Sequence, residues 1–287
     1  MKANIPVRGQ EQSERQSGNQ SRAAASFAII GADVRIPTTN LTLAPLSPGW
    51  TLVGSVTWSA FISYTDHGRN DCTNTFTGTS DVWTPVPIDF AGVVQGGVIE
   101  LSVAASVRDT TGVVVQKTWS GHNSIVGANP SRDTIRARLP NLRAQVVAYK
   151  ESRFRQFDVN GMPLVSSDNG FGIMQLTMNP APTARQLWDW TQNVDAGVGR
   201  LTANDAVVRQ HYANLSSTHP TLPVLDTARM ALSAYQYYNT GNKGFYWIPN
   251  ASFDSWDKNP NTSYTTYADD ATHVENLVAA GTPPIDW

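Results

Sequence analysis

Val98-Ile99-Glu100-Leu101-Ser102-Val103-Ala104-Ala105-Ser106-Val107, then Arg108-Asp109-Thr110-Thr111-Gly112, then Val113-Val114-Val115-Gln116-Lys117-Thr118-Trp119 decides the character of the first half of the chain. Apolar and polar residues alternate on both sides of a short segment ending in glycine, the pattern of two strands joined by a hairpin turn. Trp50 to Tyr64 is a second such run, with Trp58, Phe61 and Tyr64 set among β-branched and small residues. From Thr38 to Gly121 the chain is rich in Thr, Ser, Gly and Pro and poor in helix formers. These residues predict an all-β sandwich of immunoglobulin-like architecture over residues 38–129, whose strand order cannot be read.

Beyond Pro130 the period changes. Leu142, Val146 and Tyr149 recur at helical spacing on a segment that closes at Glu151-Ser152, which puts Glu151 near a helix C-terminus. Thr183-Ala184-Arg185-Gln186 fits a capping box ahead of Leu187 and Trp188. Asn193 is expected to cap a helix carrying Val194, Val198, Leu201, Val208 and Tyr212. Asp226 is expected to cap one through Met230, Ala234 and Tyr238, and Tyr267 to Val278 carries Ala271, Val274, Leu277 and Val278 on one stripe. The fold class predicted is therefore α+β in two domains, with a mainly helical domain at 130–287. Residues 1–37 read as a disordered or extended leader, because Gln10 to Arg22 is almost wholly polar and cannot bury enough apolar surface to offset the entropy of ordering.

Composition narrows the function. A net charge of −2 over 287 residues, 15% of them charged, supplies no field that would recruit nucleic acid or an anionic membrane. Cys72 is the sole cysteine, so neither a disulfide scaffold nor a cysteine-based zinc cluster is built. No stretch approaches the roughly 20 apolar residues that span a bilayer. Asp158 and Asp168 with Asn160, Gly161 and Asn169 do not have the alternating ligands and closing Glu of an EF-hand loop, and no metal or cofactor is expected. Nine tryptophans and nine tyrosines suit core packing and stacking on sugar faces.

The chemistry-bearing residues cluster in the second half. Tyr149, Phe154 and Phe157 stand close in sequence to Glu151, and a carboxyl held against apolar rings is raised in pKa and can act as an acid at neutral pH. Gly170-Phe171-Gly172-Ile173-Met174-Gln175-Leu176 follows about twenty residues on. Its glycines let a bulky polymer approach the backbone, and the Gln175 amide can pair with hydroxyl or N-acetyl groups. Tyr238 and Asn239, before Gly241, would reach a cleft if their helix end faces Glu151.

Glu151-Ser152, the GFGIMQL stretch, Trp188-Asp189-Trp190 with Asn193-Val194-Asp195-Ala196-Gly197, and Tyr238-Asn239 before Gly241 occur in an order that resembles the lytic transglycosylase and goose-type lysozyme superfamily over about residues 140–280. The resemblance implies a lysozyme-like helical domain whose cleft binds the glycan strand of peptidoglycan and cleaves it between N-acetylmuramic acid and N-acetylglucosamine. Glu151 matches the family's general acid, and Tyr238 the tyrosine beside it, with Tyr235 a competing match. Ser152, Gly172, Met174, Gln175, Asn239 and Asp168 are the implied substrate-binding set.

Goose-type hydrolases carry an Asp two residues after the Gln, where this chain has Thr177, and their other acidic position falls close to Asp168 without matching it residue for residue. The departure favours the route that forms 1,6-anhydro ends over a hydrolytic muramidase. A non-catalytic glycan-binding or assembly module remains as the contrasting class. The substrate lies in the bacterial periplasm or wall, yet the first thirty residues show no Sec-type signal. Delivery by a secretion system or phage, with a structural partner docked on the N-terminal domain, is the expectation.

Overall fold

The expected hairpin is present in the computed structural model, which describes residues 4–7, 26–37, 39–43, 45–66, 70–90, 92–177 and 180–287. Strand β7 (Gly97–Arg108) pairs antiparallel with β8 (Val114–Gly127), from Arg108 opposite Val114 to Gly97 opposite Ile125. The Asp109 carboxylate closes the turn by accepting from the backbone N–H groups of Thr111 and Val113. Gly112 takes the left-handed backbone (φ +88°) that the turn requires.

The remaining strands are β1 (Asn4–Val7), β2 (Ser26–Ile30), β3 (Thr39–Leu43), β4 (Thr51–Asp66), β5 (Asn70–Ser80) and β6 (Val86–Ile88). One five-stranded sheet runs β2-β8-β7-β4-β5, antiparallel except that β2 lies parallel to β8. A three-stranded sheet runs β1-β3-β6, with β1 parallel to β3. Val56, Trp58, Ala60 and Ile62 of β4 and Ile99, Leu101, Val103, Ala105 and Val107 of β7 are buried, so the strands alternate as the sequence pattern requires. Two strands fall within residues 1–37, because β3 and β8 offer backbone partners that composition does not reveal. The polar run from Gln10 to Arg22 lies outside the described residues.

The C-terminal region is helical: α1 (Arg132–Arg138), α2 (Leu142–Ser152), α3 (Ala184–Trp188), α4 (Trp190–Thr218), α5 (Thr227–Thr240) and α6 (Thr266–Ala279). A small hairpin of β9 (Trp247–Pro249) and β10 (Trp256–Lys258) precedes α6. Thr183 and Gln186 form the reciprocal capping box, and Asp226 accepts from the Arg229 N–H at the head of α5. Asn193 is not a cap. Helix α4 begins three residues earlier, at Trp190, and the Asn193 side chain is wholly buried. Among the described residues no helix is long and apolar enough to cross a membrane.

The chain divides into two compact units. The first holds residues 1–129 together with 157–163 and 183–189, and the second holds 130–156, 164–182 and 190–287. The two short segments join the first unit through close packing. Gly127 lies flat against Phe157, where a Cβ would come within 2.3 Å of the ring, and its N–H donates to Gly161 O. The Asn129 amide bonds both backbone groups of Phe157. Trp188 packs on Phe157 and edge-on to Tyr64, above Gly96. In the second unit Val208, Tyr212, Leu222, Leu225, Ala234 and Trp256 form a core between α4, α5 and the β9–β10 hairpin.

Candidate active site

Helix α2 presents Glu151 because of how it starts and stops. Asn141 caps its head by accepting from the Ala144 N–H, and Val146, Val147 and Ala148 anchor its buried face. Arg153 adopts the left-handed conformation (φ +57°) and its N–H returns to the carbonyls of Ala148 and Tyr149, which ends the helix directly after Glu151-Ser152.

Ser152 is buried and ties this helix end to the glycine-flanked segment. Its Oγ lies 2.9 Å from Ile173 O and 3.2 Å from Ala148 O, and accepts from Arg155 N–H. The segment itself is a tight loop closed by two backbone bonds between Phe171 and Leu176. Gly172 (φ +69°) sits so close to its neighbours that a Cβ would come 2.6 Å from Asn193 Nδ2 and Gln156 Oε1. The Asn193 amide spans the loop, accepting from Met174 N–H and donating to Phe171 O. Gln156 Oε1 accepts from Ile173 N–H, and Gly197 of α4 leaves room for the Met174 side chain.

Two phenols converge here, one on Glu151 and one on this loop. The Tyr267 hydroxyl donates to Glu151 Oε1 at 2.5 Å. The Tyr238 hydroxyl donates to Met174 O at 2.7 Å. Burial pushes the Glu151 carboxyl from its ordinary 4.5 up to about 7; the Tyr267 hydrogen bond opposes the rise, the Asp168 charge adds to it, and Lys150 opposes it. Burial, then the Glu151 charge, push both Tyr238 and Tyr267 well above the usual phenol range. Lys150 is paired with Asp270 at 2.9 Å. The result is a carboxyl near half-protonation at neutral pH beside two phenols that stay neutral, a group able both to give and to take a proton.

Tyr238 bonds the loop that holds Gly172, Met174 and Gln175, Ser152 ties that loop to the end of α2, and Glu151 stands next to Ser152 with Tyr267 as its hydrogen-bond partner. Ser152, Gly172 and Met174 are buried and shape the loop from within. Gln175 is nearly buried at φ +46°; its Nε2 donates to Gly172 O, and its Oε1 has no partner. Asp168 is exposed and accepts from Ser166 Oγ, and Asn239 is exposed near the end of α5. Thr177 Oγ1 accepts from the Arg200 guanidinium. Tyr235 is engaged elsewhere, donating to Glu275.

The aromatic surroundings differ from those expected. Tyr149 and Phe154 pack with Trp287, and the Tyr149 hydroxyl donates to Asp286, while Phe157 packs on Trp188. Tyr267 takes the place beside the carboxyl. In the sequence it marks only the start of the segment whose stripe is Ala271, Val274, Leu277 and Val278, and nothing there names its partner. Asp158 closes a turn, accepting from the N–H groups of Asn160 and Met162. Among the described residues no three His, Cys, Asp or Glu side chains gather where they could hold a metal ion. No known protein family, curated protein or solved structure matches the chain.

Proposed function

We propose that the protein cleaves the glycan strand of peptidoglycan between N-acetylmuramic acid and N-acetylglucosamine, with Glu151 as general acid and then base, and leaves 1,6-anhydro ends. The observation that carries this reading is a half-buried carboxyl whose Oε1 accepts from the neutral Tyr267 hydroxyl and which burial raises to about 7. Because Oε1 accepts from Tyr267, the proton rides on Oε2, from which it passes to the glycosidic oxygen as the C1–O bond breaks. The acetamido oxygen of the muramyl sugar adds to C1. The carboxylate then takes the proton of the C6 hydroxyl, O6 closes on C1, and the acetamido group is released. Glu151 ends protonated as it began, no water is consumed, and one carboxyl suffices.

In this reading the helical unit is lysozyme-like, and the N-terminal sheets form an immunoglobulin-like accessory sandwich through which a secretion or phage partner would be engaged. The rigid loop at 170–176 and the exposed Asn239 would line the sugar groove.

A hydrolytic muramidase is the second reading, and one observation favours it: the Asp168 charge is felt at Glu151. A carboxylate there could position water. Against it, the place of the family's other acid holds Thr177, whose hydroxyl is occupied by Arg200. Mass spectrometry of the sugars released from purified peptidoglycan decides. Products one water lighter than reducing ends support the anhydro route, reducing ends alone move the assignment to the hydrolase, and no product from active-concentration protein leaves a non-catalytic glycan binder.

A further inference from the structure

The outward face of the five-stranded sheet carries a feature that the Glu151 chemistry does not use. The pairing of β5, β4, β7 and β8 sets Thr77, Ser59, Ser102 and Ser120 side by side in one cross-strand row. Thr79, Thr57, Ala104 and Thr118 make the next row. Where these rows cross β5, β4 and β7, their short side chains floor an open groove of about 410 Å³. The row beyond is taller, with Phe61 opposite Thr75 on one side and Glu100 on the other, and Phe61 is 37% exposed.

We infer that this groove is a binding site for a neutral glycan strand. The Thr57 hydroxyl donates to Ala104 O and keeps its acceptor side, while a Ser or Thr hydroxyl otherwise offers one donor and two acceptors, on strands about 4.7–4.9 Å apart, so the floor can exchange several hydrogen bonds with sugar hydroxyls at once. Phe61 supplies an apolar ring at the groove's edge for a sugar face, and Glu100 an acceptor beside it. Charge matches an uncharged polymer: neither row holds a charged side chain, and a nucleic acid would need Lys or Arg against its phosphates. The composition is also opposite to a protein-binding core, which is rich in aromatics, Met and Arg and poor in Ser. That the strand is peptidoglycan rests on the Glu151 reading; that it is a glycan rests on the groove alone.

The test uses the full chain carrying Glu151→Gln, so that the polymer stays intact, in co-sedimentation with peptidoglycan sacculi and titration with N-acetylglucosamine oligomers. Phe61→Ala combined with Thr57→Val and Thr77→Val removes the ring and two hydroxyls while keeping β-branched side chains, and circular dichroism checks the fold. The proposal expects binding about tenfold weaker in the groove variant, little affected by added salt. In the Glu151 background the same three changes should leave turnover of short soluble glycan fragments unchanged. Equal binding by parent and groove variant overturns the proposal. So does a parent that binds neither polymer but self-associates in light scattering until the groove is altered, which would make the face a contact between copies. Groove-dependent binding without any cleavage by the Glu151 protein sinks the catalytic reading and leaves this one standing.

Discussion

The hydroxyl of Tyr267, at the start of α6, donates to Oε1 of Glu151, at the end of α2, across 116 residues of sequence. This bond sets which carboxyl oxygen carries the proton and offsets part of the burial that raises the pKa to about 7.

Glu151→Gln is expected to lower strand cleavage by about 10²–10⁴-fold, the usual worth of a general acid, with the fold retained. The same variant has a stability signature. The folded carboxyl titrates near 7 against an ordinary 4.5, so it holds its proton more tightly than the unfolded chain does, and wild-type stability falls as pH rises from about 4.5 to 7. Glutamine does not titrate. Denaturant melts should therefore show the variant matching wild type at pH 4 and exceeding it at pH 8, by at most about 3 kcal/mol.

Tyr267→Phe removes a hydrogen bond that favours the ionised carboxylate, so the Glu151 pKa should climb further. The alkaline limb of the pH–rate profile, where the acid form is lost, should move to higher pH. Loss of the orienting bond should also slow turnover by about 10- to 100-fold. An unmoved limb would show that the bond does not persist in solution.

Asp168→Asn separates the two catalytic routes. Removing its charge should lower the Glu151 pKa and shift the alkaline limb to lower pH. Under the anhydro route the products keep their 1,6-anhydro ends. Under the hydrolytic route, loss of the water-positioning carboxylate should cost about 10²-fold or more in rate.

Asn193→Ala strands the buried Met174 N–H and removes one of the two donors to the Phe171 carbonyl, which keeps Leu176 N–H, and should destabilise the protein by about 1–3 kcal/mol. Asn193→Asp keeps the acceptor for Met174 but buries a carboxylate against the Phe171 carbonyl, so at neutral pH it should be at least as destabilising as alanine and recover as the pH falls. Gly172→Ala should be destabilising for two reasons, its positive φ and the 2.6 Å approach to the Asn193 and Gln156 side chains. Urea titration at neutral and at lower pH measures all three.

Much of the local framework was legible. The β7–β8 hairpin follows from alternation and a glycine turn, and the Thr183 capping box and Asp226 cap follow from side chains bonding backbone three residues away. Asn193 shows where such reasoning fails. An Asn ahead of an apolar stripe satisfies the capping pattern, but the fold uses its amide to bridge Phe171 and Met174, two buried groups about twenty residues upstream. The rings near Glu151 fail for the same reason: Tyr149 leaves α2 in a different direction from Glu151, Phe154 follows the left-handed turn at Arg153, and both reach Trp287 instead.

The chain's own order of residues determined that a strand-rich region precedes a helical one, that a helix stops just after Glu151, and that a glycine-flanked loop follows it, because propensity, periodicity and capping act over a few residues. Tertiary structure alone decided that β2 lies parallel to β8, that Tyr267 faces Glu151, and that Asn193 lies inside the loop it supports. Those pairings join segments far apart in sequence. The acidity of Glu151 belongs with them, since the water excluded around a carboxyl depends on every segment packed over it.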